Sequence, residues 1–213
     1  MKTIRPIIFA ILCAALIAGL LAATKPQRLF DGKSLKGWNG NLKIFRLENG
    51  AIVGGTMKDK LTRNEFLCTD KEYSDFVLHA KFKLLGEPDK ANAGIQIRSQ
   101  RIPNDSEVIG YQADLGQDYW GALYDESRRK KVLARPNLDE LKKILKLNDW
   151  NDYEIRAEGK RIRLSINGFQ TVDYTEAEAG IAQTGCICLQ IHAGPPSEAS
   201  YKDITIEPLT KKK

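Results

Sequence analysis

The chain has 213 residues, of which 42% are hydrophobic, 28% charged and 8% aromatic, with a formal net charge of +6. This composition is that of a globular protein, and it excludes intrinsic disorder, a collagen-like chain and a polytopic membrane protein. Much of the positive charge lies in Lys2, Arg5 and the terminal lysines 211–213, so the rest of the chain is nearly neutral. Because a nucleic-acid-binding protein concentrates Lys and Arg on one folded face, we expect no nucleic-acid partner.

The first 23 residues are typical of an export signal. Lys2 and Arg5 precede an uncharged apolar run over residues 7–23, which is the pattern of a secretory signal peptide. The run is also close to the ~17 residues that the shortest spanning helices need, so an uncleaved N-terminal anchor is the alternative. Both interpretations predict an exported protein, periplasmic or secreted, whose only membrane contact is this segment.

From residue 41 onward the apolar residues mostly alternate with polar ones, which predicts strands. Clear examples cover residues 76–84, 153–158 and 161–166, and Asn-Gly pairs at 49–50 and 167–168 provide hairpin turns between strands. Many short strands at this spacing predict a β-sandwich or jelly roll. We therefore expect one all-β domain of two antiparallel sheets.

The predicted domain runs over residues 27–209, and it has a single helical candidate. Leu138, Leu141, Ile144 and Leu145 would share one face of a helix over residues 138–147. A helix of this length is expected to decorate a loop of the sandwich.

Three predicted strands carry unusual polar side chains opposite their apolar residues. Solvated faces of strands are usually rich in Lys, Glu and Thr, whereas these side chains make directed hydrogen bonds and would form a polar binding cleft if they were gathered on one sheet. The alternative is that they are simply solvated. The residues concerned are Gln96, Arg98, Gln112, Asp114, Gln190 and His192.

The body of the chain contains three cysteines, Cys68, Cys186 and Cys188. An odd and small number of cysteines does not indicate a disulfide scaffold. The chain has no Cys-x-x-Cys pair, which leaves little support for a thiolate zinc site. We expect Cys186 and Cys188 to fill space within the fold.

Several motifs lie in order along nearly the whole body of the chain. They include LFDGKSLKGW at 29–38, NAGIQIRS at 92–99, GYQAD at 110–114 and LQIHAGPP at 189–196. Together they resemble the DUF1080 family, the 3-keto-disaccharide hydrolases. The resemblance implies a concanavalin/LamG-like jelly roll with its sugar site on a concave face, acting on a small-molecule 3-keto-glycoside outside the cytoplasm. The chain departs from the family at Gln112, where Glu is frequent.

The implied chemistry is an elimination. A ketone at C3 of a sugar acidifies the hydrogen at C2, so that a base can remove it and the enolate expels the aglycone from C1. Water then adds to the resulting 2-hydroxy-glucal. The whole reaction requires a base, an acid and hydrogen-bond donors for the enolate. We assign Asp114 or Glu126 as the base, His192 as its proton-transfer partner and Arg98 as the oxyanion-binding group. Asp125 adjoins Glu126, and only one of the two can face the cleft.

Other polar and aromatic side chains would orient the sugar ring. The candidates are Gln96, Gln112, Tyr124, Gln190 and Trp120. A divalent metal ion held by Asp114, Glu126 and His192 is one option for the site, and a hydrogen-bonded cluster without metal is the other, so no cofactor is required.

A rival function is a non-catalytic carbohydrate-binding or interaction module, since jelly rolls serve both purposes. A binding module would depend on a row of exposed aromatic residues, and the sequence has no obvious row of this kind. The combination of Asp114, Arg98 and His192 favours the enzyme.

Overall fold

The computed structural model describes residues 25–209, so the predicted signal segment 1–23 lies outside the described residues. The strands, in chain order, are β1 Gln27–Arg28, β2 Trp38–Asn39, β3 Phe45–Glu48, β4 Ala51–Thr56, β5 Glu65–Tyr73, β6 Phe76–Gly86, β7 Asn92–Arg101, β8 Val108–Gly116, β9 Leu123–Glu126, β10 Lys131–Ala134, β11 Asn151–Glu158, β12 Arg161–Ile166, β13 Phe169–Thr175, β14 Gly185–Ile191 and β15 Ser197–Pro208. A 3-10 turn covers Gln117–Tyr119, and the helix α1 covers Leu138–Lys142. Across residues 25–209, no helix has the length and hydropathy needed to cross a membrane.

The strands form two antiparallel sheets, as the sequence predicts. The sheet that we call the back sheet has the order β13-β12-β11-β6-β15-β4-β3, with β1 beside β15, and the front sheet has the order β10-β9-β8-β7-β14-β5-β2. Strands that are distant in the sequence, such as β7 and β14, are direct neighbours. The all-β jelly-roll prediction is confirmed.

The core lies between the sheets and is built from the apolar side of each alternating strand. On β6 every second residue from Phe76 to Leu84 is buried, and on β7 the buried apolar residues are Ala93, Ile95 and Ile97. Burying one face of a strand fixes its register, because a shift of one residue would move its apolar set to the opposite face. The polar residues of the front sheet are therefore held on the face turned away from the core.

Two of the predicted hairpin turns are present with the expected geometry. Asn49 and Gly50 join β3 to β4 with φ of 50° and 73°, and Asn167 and Gly168 join β12 to β13 with φ of 50° and 81°. Two consecutive positive φ angles are the type I′ conformation that suits the twist of a two-residue hairpin.

The predicted helix is much shorter than its apolar pattern suggested. It begins after Asn137, whose side-chain oxygen accepts hydrogen bonds from the backbone of Asp139 and Glu140 at 3.1 and 3.3 Å. Beyond its five residues the chain turns, because the amide of Asn151 bonds both the N–H (2.9 Å) and the carbonyl (2.8 Å) of Lys146. These bonds use backbone groups that a longer helix would need for itself.

The cysteines differ from the sequence expectation. Cys68 on β5 and Cys188 on β14 are direct cross-strand partners and form a disulfide, while Cys186 is a buried free thiol. The expectation that Cys188 only fills space is therefore wrong. The 120-residue separation of the two half-cystines hides their pairing in the sequence.

Candidate functional site

An open cavity of about 300 Å³ lies on the face of the front sheet that is turned away from the core. It is formed by the ends of β7 and β8, by β9, by the 3-10 turn and by the residue that follows β14. The lining residues are Asn92, Gln112, Asp114, Gln117, Tyr119, Tyr124, Glu126 and His192. Five of these eight were proposed from the sequence, and no Lys or Arg is among them.

Strand pairing explains why residues so far apart in sequence meet here. Asp114 of β8 lies opposite Gly94 of β7, which lies opposite Gln190 of β14. On the other side of β8, Gln112 lies opposite Tyr124 of β9. A side chain at Gly94 would place its Cβ 2.7 Å from Cγ and Cδ of Gln112. The glycine therefore leaves the space in which Gln112 lies.

A chain of hydrogen bonds orients the Gln112 amide. Ser99 Oγ donates to Gln96 Oε1 at 3.0 Å, and Gln96 Nε2 donates to Gln112 Oε1 at 2.6 Å. Since the oxygen of Gln112 is the acceptor, its NH₂ group is left to donate to Asp114, where it stabilises the ionised carboxylate. Gln96 is buried behind the cavity wall, so the structure gives it the role of orienting Gln112 and places it out of reach of a sugar in the cavity.

Asp114 is almost completely buried at the base of the cavity. Asn92 Nδ2 and the N–H of Leu115 each donate to its Oδ1 at 3.0 Å. Burial raises the pKa of Asp114 to about 8; the hydrogen bonds from Asn92 and Gln112 oppose this rise, and the charge of Glu126 adds to it. Asp114 is therefore mostly protonated at neutral pH and can act as an acid.

Glu126 is the second carboxyl group of the cavity. Burial, followed by the charge of Glu107, raises the pKa of Glu126 to about 7, while the N–H of Ser127 and the charge of Lys130 act in the opposite direction. Gln190 Nε2 lies 3.5 Å from Glu126 Oε2, so Gln190 contacts this carboxyl group from behind the cavity wall. A carboxyl group with a pKa near the ambient pH is suited to general base catalysis.

Asp125 lies on the opposite face of β9 and does not compete for this role. It is fully buried and forms salt bridges with Arg128 at 2.8 Å and with Arg129. Arg129 also pairs with Glu176 at 2.6 Å. These arginines are therefore engaged in a structural ion network, and of the two neighbouring acids it is Glu126 that lines the cavity.

His192 is half-buried at the mouth of the cavity. Its Nδ1 lies 2.6 Å from the carbonyl oxygen of Ala193, and its backbone N–H donates to the carbonyl of Asn92 at 3.1 Å. Because a carbonyl can only accept, Nδ1 must carry a proton, and the neutral ring then has its lone pair on Nε2. This arrangement gives the cavity a third proton-transfer group.

The metal option finds no compact set of ligands in the cavity. Over residues 25–209, only the three cysteines form a group of three or more His, Cys, Asp or Glu ligands whose donor atoms all lie within 4.8 Å of one another. Asp114, Glu126 and His192 share the cavity but are more widely spread. A metal ion bound by all three would require these side chains to move closer together.

Arg98 is not in the cavity, and its assignment as the oxyanion-binding residue is corrected. A β-bulge between Ile97 and Gln100 shifts the register, and Arg98 adopts a φ of +50°. Its guanidinium group is buried and donates at 2.5 to 3.0 Å to four groups at the end of the sandwich. The acceptors are the carbonyls of Ser74 and Gly159, Gln183 Oε1 and Asp75 Oδ1.

Trp120 is likewise outside the cavity lining. Its ring lies 6.3 Å from that of Phe82 and packs against the core.

Three lining residues were missed in the sequence. Asn92 has the same strand parity as Gln96 and could have been found by extending the alternation by two residues, whereas Gln117 and Tyr119 lie in a 3-10 turn that no periodicity marks.

The fold is one that carbohydrate-active proteins use. A candidate glycosyl hydrolase from Parabacteroides distasonis ATCC 8503 superposes with a TM-score of 0.64 at 21% identity, over 85% of this chain and 93% of that protein. The carbohydrate-binding module CBM66 from Bacillus subtilis gives a TM-score of 0.61 at 16% identity, over 80% and 95%. A β-glucanase from Bacillus licheniformis gives 0.57 at 10% identity, over 86% and 97%. At these identities the similarity concerns the fold.

The family follows from the sequence itself. The 3-keto-alpha-glucoside-1,2-lyase-like domain family matches residues 25–207, and the chain belongs to this family. No curated protein matches the chain at a significant level. The resemblance stated from the motifs is thus confirmed at the level of the family.

Proposed function

We propose that this protein cleaves the glycosidic bond of 3-keto-glycosides by β-elimination between C1 and C2, followed by hydration. The observation that carries the proposal is the pair of carboxyl groups in one polar cavity, Asp114 and Glu126, with pKa values of about 8 and about 7. Such a pair provides an acid and a base together near neutral pH. The family to which the chain belongs supports the substrate class.

In the first step Glu126, as the carboxylate, removes the proton from C2 of the sugar. The electron pair forms an enolate on the C3 oxygen, to which Gln117, Tyr119 and Tyr124 offer hydrogen-bond donors. The enolate then expels the C1 oxygen, and protonated Asp114 gives its proton to this leaving group. The products are the free aglycone and a 3-keto-2-hydroxy-glucal.

In the second step water adds across the C1–C2 double bond. The lone pair of His192 Nε2 accepts a proton from the water as its oxygen bonds to C1, and Glu126 returns its proton to C2. A proton then passes from His192 to Asp114, which restores the starting state. The sum of the two steps is hydrolysis, with no redox change and no external reagent other than water.

The activity is tested with a 4-nitrophenyl 3-keto-glucoside, with and without a chelator, by following the release of nitrophenol. Replacing Glu126 with Gln should lower kcat by ~10²–10⁴-fold, the usual contribution of a general base. Glu154→Gln is the matched control, because Glu154 is an exposed residue of the back sheet. Unchanged turnover in Glu126→Gln would refute the assignment of the base, and no turnover by the wild-type protein would refute the activity.

The elimination route has its own signature. The proton that Glu126 takes from C2 exchanges with solvent in the open cavity before hydration, so in heavy water the 3-keto sugar product should carry deuterium at C2, whereas direct hydrolysis leaves C2 unlabelled. Incubating the product without enzyme corrects for the spontaneous exchange that a neighbouring ketone promotes. Early accumulation of the 2-hydroxy-glucal in single-turnover experiments would further support the route.

A carbohydrate-binding module without catalysis is the second candidate. It is favoured by Tyr119 and Tyr124, whose rings meet edge to face at 6.4 Å beside the cavity and offer a sugar an aromatic surface. The similarity to a carbohydrate-binding module agrees with it. Calorimetry that shows sugar binding lost in Tyr124→Ala, together with no aglycone release from any 3-keto-glycoside, would decide for this function.

We also propose that the protein is exported through residues 1–23. Expression of the full chain in a bacterial host should place it in the periplasm or medium. Mass spectrometry of the exported protein distinguishes the two forms. A cleaved signal gives a released chain that begins near residue 24, whereas an intact anchor gives a full-length chain in the membrane fraction.

A further inference from the structure

Three sulfur atoms form a cluster on the front sheet, separate from the cavity. Their Sγ atoms all lie within 4.8 Å of one another, and that of the free Cys186 is 3.4 Å from that of Cys188. Cys188 and Cys186 lie two residues apart on β14, and Cys68 faces Cys188 from β5. A disulfide needs only two cysteines, so the position of the third sulfur is not explained by the covalent link.

We propose that, after reduction of the Cys68–Cys188 disulfide, these three cysteines bind one soft, thiophilic metal ion, with Cu(I) as the ion that fits best. Thiolate ligands select soft ions such as Cu(I) over hard cations. Structural Zn²⁺ almost always takes four ligands, whereas among residues 25–209 the compact group contains three sulfurs and no His or carboxylate. Cu(I) is stable with three thiolate ligands in a plane.

The geometry is close to what such a site requires. With metal–sulfur bonds of about 2.3 Å, three sulfurs around an ion in one plane lie about 4.0 Å apart. The Cys186–Cys188 separation of 3.4 Å is somewhat shorter than this value, no pair is farther apart than 4.8 Å, and Cys68 and Cys188 are at bonding distance in the disulfide. Once the covalent bond is open, the sulfurs of Cys68 and Cys188 must move apart by side-chain rotation to reach the required separation.

The surroundings suit a soft ion. Phe66 and Val108 pack with the three cysteines in one buried apolar cluster, and only Cys186 retains slight exposure. The positive charge of Arg101 and, more weakly, the negative charge of Glu72, the cross-strand partner of Cys186, act on this thiol in opposite directions, so Arg101 would offset only part of the negative charge of a copper–trithiolate complex. Its guanidinium group is fixed by hydrogen bonds to the side chain and carbonyl of Asn39 at 2.9 and 2.6 Å.

The chemistry balances with a thiol as the reductant. Two molecules of a low-molecular-weight thiol supply two electrons and two protons to the disulfide and leave as their own disulfide, so that Cys68 and Cys188 become thiols. Binding of the ion then displaces the protons of Cys68, Cys186 and Cys188. Copper enters and stays as Cu(I).

The test uses the full chain with Cys13→Ser, so that Cys68, Cys186 and Cys188 are its only cysteines. The protein is reduced, freed of reductant without oxygen and titrated with Cu(I) in competition with the colorimetric chelator bathocuproine disulfonate. We expect one Cu(I) per chain, three sulfur ligands by X-ray absorption, and no tight binding by the oxidised protein. Val108→Ala alters the apolar wall without removing a ligand and should retain the affinity.

Cys186→Ser is the decisive variant, because it keeps the disulfide pair and so folds in the oxidised form as the wild type does. When reduced it should bind Cu(I) ~100-fold more weakly or worse, since the loss of a direct ligand exceeds the ~10–100-fold cost of losing an outer partner. Equal affinities of the reduced wild type and Cys186→Ser, fewer than three sulfur ligands, or stronger competition by Zn²⁺ than by Cu(I) would each overturn the proposal.

Discussion

Replacement of Arg98 by Met separates a structural role of this arginine from a catalytic one. The guanidinium group is fully buried and is the meeting point of three segments, since it bonds Ser74 and Asp75 before β6, Gly159 in the β11–β12 turn and Gln183 before β14. Met keeps most of the hydrophobic volume but removes the charge and every donor. Asp75, which is 9% exposed, is then left without its charged partner.

The expected loss of stability follows from these contacts. Removing one member of a buried ion pair costs about 3–5 kcal/mol, because the other charge stays buried without compensation. The carbonyls of Ser74 and Gly159 lose a donor as well, which places the variant at the upper end of this range. For a chain of 150–250 residues, 1 kcal/mol corresponds to a shift in Tm of about 2–4 °C, so Arg98→Met should melt about 10–20 °C below the wild type.

The assay pairs thermal or urea unfolding, followed by circular dichroism, with turnover of the 3-keto-glucoside at a temperature where the variant remains folded. The structural role predicts a large fall in Tm and a kcat within a few fold of the wild-type value. An unchanged Tm combined with a loss of turnover would refute this reasoning and restore Arg98 as an oxyanion-binding residue. Lys131→Met, at an exposed position of β10, controls for the loss of a positive charge.

Three other predictions concern pH and packing. The plot of kcat/KM against pH should be bell-shaped, rising near pH 7 as Glu126 ionises and falling near pH 8 as Asp114 loses its proton. The Asp114→Asn variant should lose the fall at alkaline pH. A flat profile for the wild type would contradict the assignment of these two groups. Burial raises the pKa of Glu176, but hydrogen bonds from Arg129, from the backbone N–H of Glu178 and from Tyr111 outweigh burial and lower this pKa from a usual 4.5 to about 2. The ionised Glu176 therefore contributes on the order of 3 kcal/mol to the free energy of unfolding, in full above pH 4.5, and this contribution is lost as the pH falls towards 2. When unfolding is measured across this range, Glu176→Gln should lose less stability in acid than the wild type, and equal losses would count against the prediction. Gly94→Ala should displace Gln112, lower kcat/KM and cost about 1–3 kcal/mol in an unfolding titration; wild-type turnover would show that the orientation of Gln112 does not matter.

The alternation of polar and apolar residues was sufficient to predict the sheets and the side of each strand that faces the core. It placed Gln112 and Asp114 on one face of β8 and Tyr111 and Ala113 on the other, as the structure has them. The reason is that side-chain direction along a strand depends only on the parity of the position. The Asn-Gly turns were equally accessible, because their positive φ angles are a property of the two residues involved.

Parity fails where a strand is irregular. The bulge at Arg98 inserts a residue into β7, and no Gly or Pro lies next to Arg98 in the sequence that would have marked it. Parity is also insufficient for Gln96 and Gln190, which lie on the predicted face of their strands but are covered by neighbouring side chains. Whether a polar residue on the correct face reaches a ligand depends on what lies in front of it.

The sequence by itself determined the sandwich, the hairpins, the family and the acids from which the site could be built, because each of these depends on residue type and local spacing. Only the tertiary structure decided that Glu126 faces the cavity while Asp125 is held by arginines, that Arg98 fastens the end of the sandwich, and that Cys68 meets Cys188. These outcomes depend on which strands become neighbours across more than a hundred residues and on the register of their pairing. The local periodicity of the sequence carries no information about which strands pair or in which register they pair.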